Sequence, residues 1–385
     1  MYSFLVQRID ALVWRASCVV RDLYPFWENE QAVVLGSHYS INYKAEYRKF
    51  KRKITGILLF TYRSDLNYKV AKPIGLIKRE HVIGIFKPFN VCLPSIQTID
   101  TDKGWGCVIR ATQMALAQTL ISLILGDNFD IYSILKENTL PDSSGGAPSH
   151  RRSDRSGKSE NFDNIITDGY QNKYDAFCSI LSQFYDSRES KFSLYKFIIA
   201  DSVLKTCTKF LSFGPTSSAI CVNKMINDAN IPLKSIAFPD GVFYINEVYK
   251  GFNKNRNVIV WLSLNKKLDK NEKVAVRSLF LLKQFNGIVG GNMNNRAYYI
   301  CGCSSSRLYY VDPHVSCKPA FTTLDGVDIL KDFTSKRVHS MRWRSLNPSM
   351  SIVFLFKGLG DFEVFLDSTF RNGKYTESYP FEFIQ

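Results

Sequence analysis

Cys107 is the residue of this sequence best placed to act as a nucleophile. It follows Gly104-Trp105-Gly106, whose glycines allow a sharp backbone turn, and it opens a long apolar run over 107–125. That run predicts a helix closed by Gly126, and a thiol in the first turn of a helix has its pKa lowered toward the reactive thiolate. Because cysteine is also among the most commonly buried residue types, the position alone leaves a packing role open.

A cysteine nucleophile needs a base, and Asp312-Pro313-His314 is the strongest candidate for one. Asp312 and His314 are two residues apart after a predicted strand, so extended backbone would place both side chains on one face. An aspartate beside an imidazole can hold its tautomer and stabilise the imidazolium. The alternative is an Asp-Pro turn with an incidental histidine. The remaining histidines stand in less suitable surroundings: His38, His81, His150 and His339.

The elements that must position these residues follow from the hydrophobic pattern. Asp269 and Glu272 form a capping-box pattern at the start of one helix. We predict helices over 107–125, 174–186, 193–206, 216–227, 269–285 and 361–370, and strands over 235–245, 258–264, 287–291, 297–303, 307–311 and 351–357. Helices come first and strands cluster late, which favours an α+β fold over a doubly wound sheet.

Length and composition indicate a chain that can bury a full core. It has 385 residues, of which 45% are apolar and 14% aromatic. We expect a single domain over residues 1–385. A stretch without apolar periodicity predicts an inserted mobile loop at about 141–160, and the last residues, about 372–385, are expected to form a flexible tail.

The net charge of +15 indicates a basic surface but does not indicate which reaction the protein catalyses. The densest basic run, 44–53, is typical of a solvated face and lacks the patterns of RNA-binding sheets and zinc fingers, so no specific nucleic-acid partner is expected. Nine cysteines scattered without C-x-x-C indicate reduced thiols in the cytosol, and no metal site is expected. Neither a secretory signal nor a bilayer-spanning apolar stretch is expected.

The segments "GWGCVIR" (104–110) and "VDPH" (311–314) together resemble the autophagin family. Its members are papain-like cysteine proteases that process the ubiquitin-like autophagy modifier. The resemblance extends over most of the chain and includes "VLGSHYSI" (34–41), "FTYR" (60–63), "FGP" (213–215), "NGIVGG" (286–291) and "LNPSMSIVFLFK" (346–357). It implies a papain-like α+β fold, in which a helical half carries the nucleophile on its central helix and an antiparallel β half carries the base.

The resemblance also implies roles for individual residues. Cys107 would be the nucleophile, His314 the base and Asp312 the residue that orients it. Tyr62 matches a tyrosine whose side chain helps to bind the oxyanion, with the backbone N–H of Cys107 as the second donor. Trp105 would line a narrow cleft for the glycine tail of the substrate, although packing beside the helix is an equally good interpretation.

Two departures from the family pattern affect the lid over the site. The family commonly has a tryptophan where this sequence has Ser212, and the lid after Gly290-Gly291 usually begins Lys-Pro, whereas here it reads Asn292-Met293. These positions are still expected to contact substrate. The implied substrates are the modifier precursor and its conjugate to phosphatidylethanolamine, so that a cytoplasmic protein would associate transiently with autophagic membranes. No cofactor is needed.

The tail, "YTESYPFEFIQ", resembles a modifier-interacting motif that autophagins carry at their C-terminus. Phe381 and Ile384 have the aromatic-x-x-aliphatic spacing, and Pro380 disfavours helix. An extended tail of this kind can add a strand to an exposed sheet edge of a partner. The alternative is that the tail packs on its own domain.

Two other functions remain open from the sequence. A protease of the ufmylation-type modifier would also pair Gly-Trp-Gly-Cys with Asp-Pro-His. A catalytically inactive scaffold could instead use the basic surface to bind nucleic acid or membrane. The matches at "FTYR", "NGIVGG" and "LNPS" favour the autophagy modifier, and the intact Cys-His-Asp set favours an enzyme.

Overall fold

A large mixed sheet is the central element of the computed structural model of this protein, which describes residues 30–71, 96–137, 172–252, 257–292 and 294–385. The loop predicted at 141–160 lies outside these residues. The strands are β1 (Gln31–Val34), β2 (Ser37–Ser40), β3 (Tyr62–Ser64), β4 (Tyr68–Ala71), β5 (Ile96–Ile99), β6 (Leu233–Phe238), β7 (Val242–Tyr244), β8 (Asn257–Asn265), β9 (Phe285–Asn292), β10 (Arg296–Ser304), β11 (Arg307–Val311), β12 (Cys317–Pro319), β13 (His339–Arg342), β14 (Leu346–Phe356) and β15 (Glu382–Ile384).

Helices occur throughout the chain and not only in its first half. They are α1 (Lys44–Thr55), α2 (Cys107–Ile124), α3 (Ile131–Glu137), α4 (Lys173–Ser182), α5 (Leu194–Leu204), α6 (Pro215–Asp228), α7 (Ile245–Gly251), α8 (Lys270–Leu279), α9 (Ile329–Phe333) and α10 (Leu359–Leu366). Short 3₁₀ turns lie at Pro313–Val315, Trp343–Ser345 and Thr376–Ser378, and one π turn lies at Asp367–Arg371.

The nine-stranded sheet has the order β13-β11-β10-β9-β14-β8-β6, with β1 paired to β10 and β2 paired to β1. Every pair is antiparallel except β6 with β8, which is parallel. The predicted antiparallel sheet is therefore present in most of its length, but the sheet as a whole is mixed.

The central strands are buried on both faces, as their almost continuous apolar sequence requires. In β8, Ile259 and Trp261 pack into one hydrophobic core, while Val258, Val260 and Leu262 pack into the other. This alternation follows from the two-residue period of a strand. Each face of the sheet consequently needs its own cover of helices.

Two groups of helices provide that cover. The buried side chains of α1, α2, α4, α5, α6 and α9 belong to the core that contains Trp261, whereas those of α7, α8 and α10 belong to the core that contains Val260. The mixed α and β composition is thus as expected. The predicted separation into a helical half and a β half is seen only in part, because helices cover both faces of the sheet.

The helix α2 is the most deeply buried of the long elements. By length and composition alone it could cross a membrane, which the sequence analysis did not anticipate. Most of its residues are buried within the protein, however, and it contacts both β9 and β10. Burial of this kind identifies a core helix, which explains why its sequence is apolar almost all round.

Two predicted elements have different bounds in the structure. The strand predicted at 235–245 is divided into β6 and β7 because Pro239-Asp240-Gly241 makes a turn, and Ile245 already begins α7. The helix predicted to run to Phe285 opens with the expected capping box, in which Asp269 and Glu272 exchange hydrogen bonds of 2.8 Å. It ends at Leu279, and Phe285 already pairs with β14.

A short parallel ladder outside the main sheet joins distant parts of the chain. In it β3 pairs with β12, so that Tyr62 lies beside Cys317 and Ser64 beside Pro319. The two strands are far apart in the sequence. Ser64 and Lys318, for example, are separated by 254 positions. The ladder follows directly on the turn that contains His314 and therefore places Tyr62 near that residue.

Candidate active site

Cys107 is the first residue of α2, at the end of a tight turn. Gly104 has φ of +94°, a left-handed conformation that favours glycine. A Cβ on Gly106 would lie 2.6 Å from the Cβ of Asp102, so only glycine fits there. The Gly-Trp-Gly sequence is therefore the packing requirement of a turn that delivers the thiol to the positive end of a helix dipole.

Asp312 and His314 form a close pair, as predicted, but not through extended backbone. Pro313–Val315 is a 3₁₀ turn, and Asp312 caps it by accepting a hydrogen bond of 2.9 Å from the backbone N–H of His314. The same oxygen, Oδ1, lies 2.6 Å from Nδ1 of the His314 ring. The turn and the dyad, which the sequence offered as alternatives, are the same structure.

The free nitrogen side of the His314 ring meets the thiol of Cys107. Burial of the imidazole lowers its pKa, but hydrogen bonds with the Asp312 carboxylate and the Cys107 thiol outweigh this and raise the pKa of His314 to about 9. Burial of the thiol raises its pKa, but the hydrogen bond with His314 contributes to a net lowering of the Cys107 pKa. Both shifts stabilise a thiolate-imidazolium ion pair.

Asp312 is the third member of this charged group. Its burial raises the pKa of the carboxyl, yet the hydrogen bonds from His314 lower it below its ordinary value. The carboxylate is consequently ionised when the imidazolium is present. This arrangement holds the Nδ1 proton on the side of Asp312 and leaves the opposite side of the ring for the thiol.

Tyr62 lies against both the Cys107 thiol and the His314 ring. Its ring meets the His314 ring edge-on, with centroids 5.3 Å apart, and its hydroxyl hydrogen-bonds with the Cys107 thiol and with the backbone of Gly104. Burial and the nearby thiol raise the pKa of Tyr62, so that the hydroxyl keeps its proton. It is therefore a neutral hydrogen-bond donor beside the sulfur atom, as an oxyanion-binding group must be.

Two residues of β10 complete the surroundings of the thiol and were not identified from sequence. The backbone of Ala297 hydrogen-bonds with the Cys107 thiol, and this bond helps to lower the pKa of the thiol. The ring of Tyr298 meets His314 edge-on at 5.6 Å and stacks on Tyr310 at 4.2 Å. The "AYYICGC" strand pattern predicted their secondary structure, but only the order of strands in the sheet places them at the site.

A buried group of charges fixes the turn before Cys107. Arg110 Nε donates to Asp102 Oδ2 at 2.7 Å, and its Nη2 forms an ion pair with Asp186 at 2.9 Å. Asp102 also accepts a hydrogen bond of 2.6 Å from the backbone N–H of Arg63, next to Tyr62. The nucleophile turn and the strand that carries Tyr62 are thus tied to one buried carboxylate.

A pocket of about 490 Å³ opens beside the thiol. The lining residues are Tyr62, Lys103, Gly104, Cys107, Asn295, Arg296, His314, Ser316 and Cys317. Cys317 is exposed there, a position that no local pattern signals because the ladder between β3 and β12 creates it. Across the part of the chain that the structure describes, no cluster of three or more histidine, cysteine or acidic residues could hold a metal ion.

Trp105 is half-buried, so its exposure is intermediate between that of a residue packed beside the helix and that of a residue lining an open cleft. Its indole N–H donates to the carbonyl of Thr101 at 3.0 Å, and its ring packs at 6.5 Å from the ring of Phe213. The aromatic partner is thus Phe213 and not its neighbour Ser212, where the related pattern has tryptophan. The two rings are not among the residues that line the 490 Å³ pocket.

The glycines that precede the expected lid are part of the buried sheet. Gly290 and Gly291 lie within β9, and a Cβ on Gly291 would lie 1.8 Å from the carbonyl oxygen of Arg296. Asn292 donates through Nδ2 to the hydroxyl of Tyr298 at 3.0 Å. These contacts give the three residues packing roles, and their contact with substrate stays a prediction. Met293 lies outside the described residues.

The tail packs on its own domain, which corrects the expectation of a flexible segment at about 372–385. Its strand β15 pairs in parallel with β7, and Phe381 is 5% exposed within the second hydrophobic core. Ile384 is 43% exposed. The closely spaced aromatic residues of the tail have partners on this domain, as in the contact of Phe383 with Phe243 at 5.3 Å between ring centroids. The free energy gained by burying these rings outweighs the entropy that the tail loses when it packs.

Comparison with known proteins decides the family. Residues 47–368, most of the chain, match the Peptidase C54 catalytic domain. The chain belongs to the Peptidase C54 family. Cys107, Asp312 and His314 all lie inside the matched region, and the family supports a cysteine peptidase.

Curated relatives carry names in agreement with Peptidase C54. The chain is 26% identical over 323 residues to the probable cysteine protease ATG4 of Coccidioides immitis, covering 79% of this chain and 63% of that protein. It is 24% identical over 394 residues to the cysteine protease ATG4C of Mus musculus, covering 90% and 81%, and 23% identical over 331 residues to the cysteine protease ATG4 of Saccharomyces cerevisiae, covering 82% and 58%. The chain spans between about half and two thirds of the length of the fungal relatives that it matches.

Proposed function

We propose that this protein is a papain-like cysteine protease that cleaves after the C-terminal glycine of a ubiquitin-like autophagy modifier. The observation that carries the proposal is the position of the His314 ring, which contacts the Asp312 carboxylate at 2.6 Å and the Cys107 thiol on its other side. A buried aspartate, an imidazole and a thiol in this order are the parts of a nucleophilic triad.

Each step of the reaction has a group in place. The Cys107 thiolate attacks the carbonyl carbon of the glycine and forms a tetrahedral intermediate. The Tyr62 hydroxyl and the backbone N–H of Cys107 stabilise the oxyanion. His314 then donates its proton to the departing amine, and a water molecule, deprotonated by the same imidazole, hydrolyses the thioester.

The substrates follow from the family and its relatives. The relatives compared above are named ATG4 cysteine proteases, which supports the autophagy modifier over the ufmylation-type modifier. We propose two substrates, the precursor of the modifier and its conjugate to phosphatidylethanolamine. Action on the second requires a cytoplasmic protein that associates transiently with autophagic membranes. The assembled triad likewise supports an enzyme over an inactive basic scaffold.

Parallel cleavage assays test this proposal. Wild-type protein and Cys107→Ala are incubated with the precursors of the autophagy and ufmylation-type modifiers, and the products are identified by mass. We expect the wild type to cut the autophagy precursor after its glycine, and Cys107→Ala to bind the same precursor without cutting it. Turnover by Cys107→Ala would refute the nucleophile, and preferred cleavage of the other precursor would refute the substrate.

The role of Tyr62 can be measured with the same substrate. Loss of one oxyanion donor typically lowers kcat by about 10²-fold or more. Tyr62→Phe keeps the ring contact with His314 and removes only the hydroxyl. We expect a loss on the order of 10²-fold in kcat with little change in KM, and an unchanged kcat would remove Tyr62 from the reaction.

A further inference from the structure

The pocket beside Cys107 is lined by two cations and by no carboxylate. Lys103 and Arg296 are both exposed, and both line this pocket together with the three reacting side chains. Within the described residues, neither side chain forms an ion pair. A cavity with this lining favours an anion close to the sulfur atom.

Hydrogen bonds of the neighbouring backbone fix the positions from which the side chains of Lys103 and Arg296 extend. Lys103 directly precedes Gly104, whose backbone hydrogen-bonds with the Tyr62 hydroxyl, and its own N–H donates to Thr101 Oγ1 at 3.2 Å. Arg296 directly precedes Ala297, whose backbone hydrogen-bonds with the Cys107 thiol. The two side chains therefore start from well-anchored positions and line the same pocket as Cys107.

The pocket is suited to the part of the substrate that leaves. Trp105, which the resemblance places beside the glycine tail, and its ring partner Phe213 do not line it. A glycine has no side chain that would fill about 490 Å³, whereas the group released from the glycine needs space and solvent. In phosphatidylethanolamine the phosphodiester is separated from the released amine by only an ethylene unit and one oxygen, so the anion must lie near the scissile bond.

We propose that Lys103 and Arg296 bind the phosphodiester of a phosphatidylethanolamine leaving group and thereby favour the lipid conjugate over a precursor with a neutral tail. This inference rests on the proposed function and names the specificity determinant of the same site. The cations act on substrate binding and orientation and take no part in proton transfer. Because both are exposed, each contributes the modest energy of a surface ion pair.

The test compares two substrates in one enzyme preparation. One is the modifier conjugated to phosphatidylethanolamine in phosphatidylcholine vesicles, which carry no net charge. The other is a precursor with several neutral residues after the glycine, so that its terminal carboxylate lies far from the scissile bond. The measured quantity is the ratio of kcat/KM for the conjugate to kcat/KM for the precursor. In Lys103→Gln with Arg296→Gln we expect this ratio to fall by about tenfold, a few-fold for each cation. High salt should reduce the wild-type ratio in the same direction.

A matched control separates local contacts from the overall charge. Lys270 is the first residue of α8 and Lys267 lies just before this helix; both are exposed, on the opposite face of the sheet. Lys267→Gln with Lys270→Gln removes the same charge and should keep the wild-type ratio. A third substrate, a precursor with glutamate after the glycine, tests the nature of the anion, because a loss confined to this precursor overturns the phosphodiester assignment.

The outcomes distinguish this inference from the function on which it depends. If wild-type protein cuts neither the precursor nor the conjugate, the proposed function fails. If it cuts both and the ratio is the same in wild type and in Lys103→Gln with Arg296→Gln, the function stands and the phosphodiester site is refuted. A ratio that falls equally in the control variant also refutes the site.

Discussion

Replacing Asp312 by asparagine should narrow the pH range over which the protein cleaves its substrate. In the structure the Asp312 carboxylate lies 2.6 Å from the His314 ring and helps to raise the pKa of His314 to about 9 from an ordinary 6.5. Loss of a neighbouring charge at this distance changes a pKa by about 1–3 units. We therefore expect the pKa of His314 to fall to about 7 in Asp312→Asn.

The ion pair between Cys107 and His314 determines how the acid and alkaline limits of this pH range move in Asp312→Asn. The imidazolium is present below the pKa of His314, so the alkaline limit should move down. At pH 8 about nine tenths of the rings are protonated in the wild type and about one tenth in the variant. With less imidazolium beside it, the thiol of Cys107 should have a higher pKa, which moves the acid limit up. The turnover should also fall by as much as about 10⁴-fold near neutral pH, as for other triads that lose their aspartate.

Alkylation of the thiol measures the acid limit of this range without a substrate. Cleavage of the precursor measures the alkaline limit, at which the imidazolium has lost the proton that the departing amine needs. The rate of iodoacetamide inactivation is followed from acid to alkaline pH in the wild type, in Asp312→Asn and in Asp228→Asn. Asp228 is 61% exposed and forms an ion pair with Lys224 on α6, so this control loses the same charge without touching the site. Equal ranges in the wild type and Asp312→Asn would show that the carboxylate does not maintain the ion pair, and would refute the reasoning.

Two further predictions concern stability. Arg110→Met removes the ion pairs of 2.7 Å and 2.9 Å that the buried carboxylates of Asp102 and Asp186 form with Arg110, and should lower the free energy of unfolding by about 3–5 kcal/mol in denaturant titrations. A loss below about 1 kcal/mol would mean that the contacts of both carboxylates with Arg63 are sufficient to hold them. Phe381→Ala removes a buried ring and should cost about 3–5 kcal/mol, whereas Ile384→Ala, at a half-exposed position, should cost much less. Unchanged stability with weaker modifier binding in Phe381→Ala would instead favour a tail that leaves the domain to bind its partner.

The sequence predicts those parts of the site that depend on residues close together in the chain. Cys107 was recognisable because the glycines before it and the apolar run after it are local requirements of a turn and a helix. The Asp312 and His314 pair was recognisable by its spacing, although the backbone between them is a 3₁₀ turn. The same contact forms either way, since two residues bring the side chains together in both conformations.

Other parts depend on how distant strands pair, and no local pattern encodes them. Ala297 and Arg296 reach the thiol because β10 lies between β9 and β11 and enters the sheet beside the start of α2. Cys317 reaches the pocket only through its pairing with Tyr62. The tail was misjudged for a related reason, since the core that receives Phe381 is built from residues far away in the sequence.

The ladder between β3 and β12 has a consequence for the life of the newly made chain. It joins segments separated by about 254 positions, and contacts over such distances form late in folding because the intervening chain must first be ordered. During synthesis Cys107 leaves the ribosome well before His314 and Asp312, so the nascent thiol has no imidazolium beside it and keeps the low reactivity of an ordinary cysteine. The order of the chain thus delays the appearance of a reactive sulfur until the segment that carries Asp312 and His314 has been made and has folded against Cys107.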